Sequence, residues 1–131
     1  MLVVDDDDVL RKALARQLRS WGHVVETANA VAPAEELLSG ARFDALLLDI
    51  GLPDGDGLGV LATLPTAWPR PHTIVMTGDG TQRAAVAALR YRADDFLLKP
   101  FSVQAMAGAL DRRLARRAER APQKWVPGSV L

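Results

Sequence analysis

Short apolar runs alternate with helix-forming segments along the whole chain, and this alternation restricts the possible folds more than any other feature. The run at 45–48 is uninterrupted, which is typical of a strand buried on both faces of a sheet. Strands are predicted at residues 2–4, 23–28, 45–48, 73–76 and 95–98, and helices at 8–21, 31–39, 56–64, 81–91 and 103–120. Strict alternation with short loops predicts a parallel sheet with helices on both faces. We therefore expect an α/β fold, a doubly wound three-layer sandwich with a five-stranded parallel sheet.

The composition excludes several classes of protein. The chain has 131 residues, enough for one domain, and no Cys, which excludes disulfides and thiolate metal sites. Its two histidines, His23 and His72, are too few for a multi-histidine metal site. No apolar run is long enough for a membrane span, and no signal-peptide pattern opens the chain. These features predict a cytoplasmic globular domain without membrane contact.

The formal net charge of zero conceals two oppositely charged parts. Residues 1–110 carry 10 basic and 14 acidic side chains, whereas residues 111–131 carry 6 basic and 2 acidic side chains. The acidic part includes four consecutive aspartates at 5–8. For the basic part, a solvated helix end, an inter-domain linker and a docking segment for a partner all stay open. A single basic stretch is weak support for direct nucleic-acid binding.

Polar side chains follow four of the five predicted strands. In a doubly wound sheet, functional sites lie at the carboxyl ends of the strands, next to a switch in strand order. The residues at those ends are Asp5, Asp6, Asp49, Thr77 and Lys99. The predicted fold therefore brings three carboxylates, one hydroxyl and one amine to the same edge.

This set of side chains favours phosphoryl chemistry at a metal site. At about 4 Å and an effective dielectric constant of about 20, each pair of like charges costs about 4 kcal/mol, so close carboxylates favour a bound cation. Oxygen ligands suit Mg²⁺ or Mn²⁺. Thr and Lys donate hydrogen bonds to phosphate oxygens, and a carboxylate in such a site can act as the nucleophile.

Four segments together resemble the receiver domain of two-component response regulators. They are VVDDD at 3–7, LDIGLPDGDG at 48–57, MTG at 76–78 and KPF at 99–101. Any one of them is a weak signal, but all four fall in the order and at the spacing of the family, over about residues 1–115. The resemblance implies a (βα)5 flavodoxin-like sandwich, with a receiver domain over 1–120 and an irregular tail over 121–131.

The resemblance also implies roles for the polar residues. Asp49 is expected to be the phosphoacceptor, which takes a phosphoryl group from a histidine kinase or a phosphotransfer protein. Asp6 is expected to bind Mg²⁺ (or Mn²⁺) directly, Asp5 through water, and Asp49 and the backbone carbonyl of Gly51 as further ligands. The side chain at position 51 would then matter little for the metal.

Switching is implied for a further set of residues. Thr77 is expected to move to a phosphoryl oxygen and Lys99 to pair with another, while the ring of Phe96 swings inward. This would change a face formed by the predicted helix at 81–91, the last strand and the last helix, where an unknown output partner or a second copy could bind. The peptide bond between Lys99 and Pro100 is expected to be cis, as X–Pro bonds sometimes are.

Other polar residues have simpler structural explanations. Asp7 and Asp8 are explained by helix capping or solvent exposure, and Asp54 and Asp56 by turn formation. Asp94 and Asp95 are explained by a loop and a strand start. His23 and His72 are expected at the surface or at a strand edge.

Several positions differ from the family pattern or vary within it. Gly51 and Asp79 stand where the family tunes the loss of its phosphoryl group. Arg92 stands where the family usually has a left-handed Gly, so either the helix ends differently or about 1 kcal/mol of strain is tolerated. Ala105 and Ala109 replace charged residues of one known dimer type, which leaves an Ala-rich apolar contact open for a homodimer.

The main expectation is a phosphorylation-controlled signalling domain. It would be no enzyme, apart from catalysing its own phosphorylation and dephosphorylation. Two other functions stay open beside it. One is a Mg²⁺-dependent phosphatase or phosphotransferase with Asp49 as nucleophile. Such enzymes commonly carry a second Asp two positions later, where this chain has Gly51. The other is the receiver part of a DNA-binding transcription regulator, for which no output domain is visible.

Overall fold

The secondary structure follows the predicted alternation of strands and helices. A computed structural model describes residues 1–65, 70–78, 80, 86 and 89–120, without the side chains of residues 56 and 113–120. The strands are β1 (Leu2–Val4), β2 (Glu26–Ala28), β3 (Ala45–Asp49), β4 (Gly51–Leu52), β5 (Gly55–Asp56), β6 (His72–Thr77) and β7 (Asp95–Leu98). The helices are α1 (Asp8–Ser20), α2 (Val31–Gly40), α3 (Gly57–Thr63) and α4 (Val103–Arg120). The predicted tail at 121–131 and most of the predicted helix at 81–91 lie outside the described residues.

Five strands form one parallel sheet in the order β2-β1-β3-β6-β7. Val4 pairs with Ala28 on one side and with Leu48 on the other, and Thr77 pairs with Leu98. The strand order reverses between β1 and β3, which is the switch point where such sheets bind ligands. The predicted doubly wound α/β architecture is therefore confirmed.

Two apolar clusters, one on each face of the sheet, form the core. On one face Leu14 and Leu18 of α1 and Met106 of α4 pack against Leu47 and its neighbours. On the other face α2 and α3 pack against the opposite sides of the same strands. Each fully buried Leu contributes roughly 1.5–3 kcal/mol. In the described residues, no helix has the length and hydropathy needed to cross a bilayer.

Side-chain caps begin three of the helices. Asp7 caps α1 by accepting a hydrogen bond from the N–H of Leu10 at 3.1 Å, and Ser102 caps α4 by accepting one from the N–H of Ala105 at 3.0 Å. The cap of α2 comes from a distant segment, because Asp54 accepts hydrogen bonds from the N–H groups of residues 31 and 32 at 2.7 and 3.0 Å. Asp54 was predicted only as a turn residue, and it also ties the turn to α2.

Two predictions for histidine-containing segments were wrong in detail. The strand predicted from residue 23 begins only at Glu26, because β2 is limited to the residues that pair with β1. His72 was predicted at the surface or at a strand edge, but it is 4% exposed at the start of β6, an interior strand of the sheet. Its Nε2 lies 3.2 Å from the carbonyl oxygen of Ala109, and its Nδ1 lies 3.7 Å from Asp94.

Arg92 adopts the strained backbone conformation that the sequence left as one of two alternatives. Its φ is +61°, which costs a non-glycine residue about 1 kcal/mol. The guanidinium of Arg70 donates hydrogen bonds to the carbonyls of Tyr91 and Arg92, at 3.3 and 2.9 Å, and to that of Pro65, at 3.1 Å. Arg70 thus holds the backbone on both sides of the strained residue.

The turn-rich segment after β3 contains a small hairpin that the sequence did not predict. Strands β4 and β5 pair in antiparallel fashion, with Gly51 opposite Asp56. The hairpin returns the chain to β3, where the N–H of Gly57 donates to the carbonyl of Ile50 at 3.1 Å. A Cβ atom on Gly57 would lie 2.5 Å from the backbone oxygen of Asp49, so only glycine fits there.

We predict that Gly57→Ala lowers the free energy of unfolding by about 1–3 kcal/mol, because the backbone of β3 must move to admit the methyl group. Gly59→Ala is the matched control in the same helix, since a Cβ there meets nothing within 4 Å. The control should gain up to about 1 kcal/mol. Urea unfolding of both variants measures the difference, and equal midpoints would contradict this account of Gly57.

Candidate functional site

The carboxyl edge of the sheet collects the side chains that the sequence placed there. Asp5 follows β1, Asp49 ends β3, Thr77 ends β6 and Lys99 follows β7. Each of the carboxylates of Asp5, Asp6 and Asp49 has an oxygen within 4.8 Å of the others. The edge lies beside the β1–β3 switch point, as predicted for a doubly wound sheet.

Lys99 is the cation that joins two of these carboxylates. Its Nζ lies 2.7 Å from Oδ2 of Asp5 and 3.1 Å from Oδ2 of Asp49. Its backbone N–H donates to the carbonyl of Thr77 at 2.8 Å, which continues the pairing of β6 with β7. Partial burial lowers the pKa of Lys99, but the two carboxylates outweigh burial and the net pKa is raised. Lys99 is therefore charged at neutral pH. The following peptide bond to Pro100 is cis, as predicted.

Asp49 is held in one orientation by two partners. Its Oδ1 accepts a hydrogen bond from the N–H of Gly51 at 3.0 Å, and its Oδ2 accepts one from Lys99. The side chain is 8% exposed, so it lies just beneath the surface. Gly51 is itself exposed, and a Cβ atom there would approach Oδ1 of Asp49 to only 3.7 Å. One glycine thus orients the carboxylate through its N–H and leaves room beside it.

Asp5 is the most buried member of the cluster, with no exposed surface. Its Oδ1 accepts a hydrogen bond from the N–H of Asp7 at 2.9 Å. Burial raises the pKa of the Asp5 carboxyl, and the neighbouring charge of Asp49 adds to this, while Lys99 and the Asp7 N–H oppose it. Its Oδ2 is buried and faces the ammonium of Lys99.

These observations fit a hard cation. Asp5 is buried, its ionised form is disfavoured, and it lies beside the carboxylates of Asp49 and Asp6, of which Asp6 is exposed. A divalent ion that prefers oxygen ligands would therefore stabilise this cluster. The donor set contains oxygen only, which suits Mg²⁺, Mn²⁺ or Ca²⁺ and disfavours soft metals.

Thr77 and Phe96 occupy neighbouring strands at the same edge. Thr77 is 4% exposed, and Gly78, which follows it, is exposed. Phe96 pairs in register with Val75 and is half-buried against the apolar cluster on the α2–α3 face. Asp79, predicted to influence the lifetime of a phosphoryl group, lies outside the described residues.

The sequence did not predict the contacts of Arg11. Its guanidinium donates a hydrogen bond to the backbone carbonyl of Asp5 at 2.9 Å and forms an ion pair with Asp8. The i,i+3 spacing of Asp8 and Arg11 on a helix was a signal for the ion pair. The bond to Asp5 spans six residues and leaves no local pattern in the sequence.

The two alanines that replace charged residues of one known dimer type are not both accessible. Ala109 is 0% exposed and belongs to the core cluster that includes residues of α1. Ala105 is half-buried against the same cluster. The apolar side of α4 is committed to the sheet, so these residues offer little to a dimer contact. In the described part of this face, the exposed apolar residues are Val86, Leu89, Tyr91, Leu98 and Val103.

Comparison with known proteins defines the class of this fold and site. Residues 1–111 match the response regulator receiver domain family. The chain belongs to that family, and it is a receiver domain of the two-component signalling type, as the sequence predicted.

Two relatives and three solved structures illustrate the similarity. The swarming motility regulation protein RssB of Serratia marcescens is 36% identical over 130 residues, which is 99% of this chain and 59% of RssB. The response regulator MprA of Mycobacterium ulcerans is 37% identical over 119 residues, covering 91% of this chain and 51% of MprA. This chain therefore spans only about half to three fifths of the length of these relatives.

Among solved structures, a response regulator from Burkholderia pseudomallei was crystallised with a phosphorylated aspartic acid, calcium and citrate. It is 32% identical, with a TM-score of 0.78 over 92% of this chain and 71% of its own. A CheY-like receiver domain from Methanospirillum hungatei is 25% identical, with a TM-score of 0.85 over 92% of this chain and 96% of its own. The beryllofluoride-activated NtrC4 receiver domain dimer is 32% identical, with a TM-score of 0.80 over 88% and 95%.

We predict that Asp5→Asn stabilises the metal-free protein at neutral pH. The pKa of Asp5 is raised in the folded state, so ionising this carboxyl costs folding free energy. The stability of the wild type therefore falls as pH rises from the unfolded value of 3.8 through the raised folded value, and the variant escapes this loss. Its melting temperature should exceed that of the wild type by a few degrees at about pH 7, and by less at about pH 4.

Thermal unfolding in EDTA measures this difference, and millimolar Mg²⁺ should reverse it by stabilising the wild type more. Asp6→Asn is the control, because it removes an exposed carboxylate of the same cluster and should gain less in EDTA. An Asp5→Asn advantage that does not grow with pH would show that the buried charge is not the cause.

Proposed function

We propose that Asp49 is the phosphoacceptor of this receiver domain. The observation that supports it is the placement of the Asp49 carboxylate, which lies just beneath the surface, is oriented by Gly51 and Lys99, and belongs to the three-carboxylate cluster. The phosphorylated aspartic acid of the Burkholderia pseudomallei regulator supports the same chemistry.

In the proposed reaction an oxygen of the Asp49 carboxylate attacks the phosphorus of the donor. A new P–O bond forms as the bond from phosphorus to the donor's leaving group breaks, and the leaving group departs with the electron pair of that bond. When the donor is a phosphohistidine of a histidine kinase or phosphotransfer protein, the leaving group is imidazole. The product is an acyl phosphate, in which water later attacks phosphorus, so that the carboxylate is restored and inorganic phosphate is released.

Residues of this chain would supply the charge balance of that reaction. Lys99 already contacts Asp49, so its ammonium is in place to pair with a phosphoryl oxygen attached there. Thr77 would donate its hydroxyl to another phosphoryl oxygen from the adjacent strand end. Such stabilisation of developing charge contributes most of the catalysis in phosphoryl transfer.

Asp5, Asp6, Asp49 and the backbone carbonyl of Gly51 would hold Mg²⁺ or Mn²⁺. The bound ion would offset the carboxylate repulsion and neutralise charge on the phosphoryl oxygens. The donor set fits this role because it contains only oxygen and includes a buried carboxylate whose charge is disfavoured.

The output would follow from the residues of β6 and β7. Movement of Thr77 toward the phosphoryl group would open space for the half-buried ring of Phe96 to turn inward. The exposed apolar residues of the neighbouring face would then bind an output partner or a second copy of the chain. The NtrC4 receiver is a dimer in its activated form, which supports the second possibility.

A small-molecule phosphatase or phosphotransferase is the weaker alternative. Gly51 places no side chain next to Asp49 that could act as a general acid. We therefore propose that catalysis by this domain is confined to its own phosphorylation and dephosphorylation.

We predict that a small phosphodonor such as acetyl phosphate, with Mg²⁺, labels the wild type and that Asp49→Asn abolishes the label. Asp54→Asn is the matched control, because Asp54 is an exposed carboxylate of the adjacent hairpin and should leave labelling unchanged. Intact-protein mass spectrometry measures the label, and its loss in hydroxylamine identifies an acyl phosphate. Labelling of the Asp49→Asn protein to the wild-type level would overturn the assignment.

We also propose that residues 1–120 form the receiver domain and that 121–131 are an irregular tail outside it. Deleting 121–131 should then change the labelling rate by less than about twofold and leave cooperative unfolding intact, because the family match covers residues 1–111, which include every described residue of the site and the core. A truncated protein that folds but no longer labels would show that the tail takes part in the site.

A further inference from the structure

Arg11 is an unusual basic residue because it lies next to the most acidic segment of the chain and is largely buried. It follows the four aspartates at 5–8, and its side chain is only 13% exposed, whereas that of its ion-pair partner Asp8 is 69% exposed. An ion pair of this i,i+3 type on a helix surface contributes about 0.2–0.5 kcal/mol and does not require burial of the arginine. The burial therefore points to the second contact of Arg11.

That second contact fixes the peptide group between Asp5 and Asp6. Nη1 of Arg11 donates a hydrogen bond to the backbone carbonyl oxygen of Asp5 at 2.9 Å. The same carbonyl belongs to the peptide plane that leads into Asp6. In the preceding peptide, the N–H of Asp5 donates to the carbonyl of Ala28 at 3.1 Å, and in the following one the N–H of Asp7 donates to the Asp5 carboxylate. The backbone is therefore held before, at and after the Asp5–Asp6 peptide.

The carboxylates of Asp5 and Asp6 depend on this backbone to different degrees. Asp5 is buried, and its side chain has its own partners in Lys99 and the Asp7 N–H. Asp6 is exposed, and its carboxylate makes no hydrogen bond or ion pair with the other described residues. The direction of the Asp6 side chain toward the other two carboxylates is thus set by the backbone that Arg11 anchors.

We propose that Arg11 is a positioning residue of the metal site, which holds the Asp5–Asp6 peptide so that both carboxylates converge on one cation. This proposal rests on the proposed function, in which these carboxylates bind Mg²⁺. Arg11 touches neither the phosphoryl group nor the ion in this role, and it acts through the backbone of Asp5.

The direction of the change in Mg²⁺ affinity distinguishes positioning by Arg11 from a purely electrostatic effect of its charge. A guanidinium near a cation site repels the cation, so removing its charge alone should tighten Mg²⁺ binding. Loss of the peptide anchor acts in the opposite direction, because the Asp6 carboxylate is no longer directed. Partners that orient metal ligands typically change metal affinity by about tenfold or more when they are removed.

The test compares three variants by calorimetric titration with Mg²⁺ alone. Arg11→Met removes the charge and both hydrogen bonds but keeps an unbranched side chain, and we expect its Kd for Mg²⁺ to rise by about tenfold or more. Lys12→Met is the matched control, because it removes one positive charge from the next, exposed position, and its Kd should stay equal or fall slightly. Arg11→Lys retains the charge and one possible donor, so it should recover part of the affinity.

The Mg²⁺ dependence of phosphorylation is a second measurement, and it should not change if Arg11 only stabilises the fold. The Mg²⁺ concentration for half-maximal labelling by acetyl phosphate should rise in Arg11→Met, while the labelling rate at saturating Mg²⁺ stays near that of the wild type. If Arg11→Met does not fold, Arg11→Lys provides the same comparison with a smaller expected shift.

An Arg11→Met protein with an equal or lower Kd than the wild type overturns the proposal, even if its melting temperature falls. A wild type that does not bind Mg²⁺ overturns both this proposal and the metal site of the proposed function. Normal Mg²⁺ binding together with labelling of Asp49→Asn overturns the phosphoacceptor assignment alone.

Discussion

The contact of Lys99 with Asp5 and Asp49 is the interaction on which the rest of the site depends. Three carboxylates with oxygens within 4.8 Å of one another repel strongly, at about 4 kcal/mol for each pair of charges near 4 Å. Lys99 offsets this repulsion from a position fixed by the pairing of β6 with β7. The acids at the ends of β1 and β3 can lie this close because the ammonium of Lys99, which follows β7, contacts both Asp5 and Asp49. A divalent cation would take over part of that role and free Lys99 for a phosphoryl oxygen.

The same contacts connect Asp49 to Thr77 on β6 and to the segment of β7 that carries Phe96. The backbone N–H of Lys99 donates a hydrogen bond to the carbonyl of Thr77, and Phe96 lies three residues before Lys99, on β7. A phosphoryl group on Asp49, as proposed, would therefore act on β6 and β7 through Lys99. Phe96 is only partly buried, whereas Val75, its partner in register on β6, is fully buried. The side chain that we propose to turn inward is therefore one that the core leaves partly exposed.

Much of the fold and of the site could be predicted from local patterns, and three of the features that were missed share one physical cause. The bounds of β7 were predicted correctly and those of β3 to within a residue, because buried strands are written as short apolar runs between turn residues. The site followed because parallel strands bring their carboxyl ends together. The cap that Asp54 provides for α2, the buried position of His72 and the bond from Arg11 to Asp5 were missed. Each of these joins residues with no periodic relation in the sequence, so only the tertiary structure reveals it.

The separation of charge along the chain has a structural counterpart in α4. The family match ends at residue 111, and the basic excess begins there. Arg112, the first basic residue of that segment, forms an ion pair with Asp95 at the start of β7. Burial raises the pKa of Asp95, but Arg112 and the N–H of Phe96 outweigh it, so the net pKa is lowered and the pair stays charged at neutral pH. The basic segment is thereby attached to the same strand that leads to Lys99.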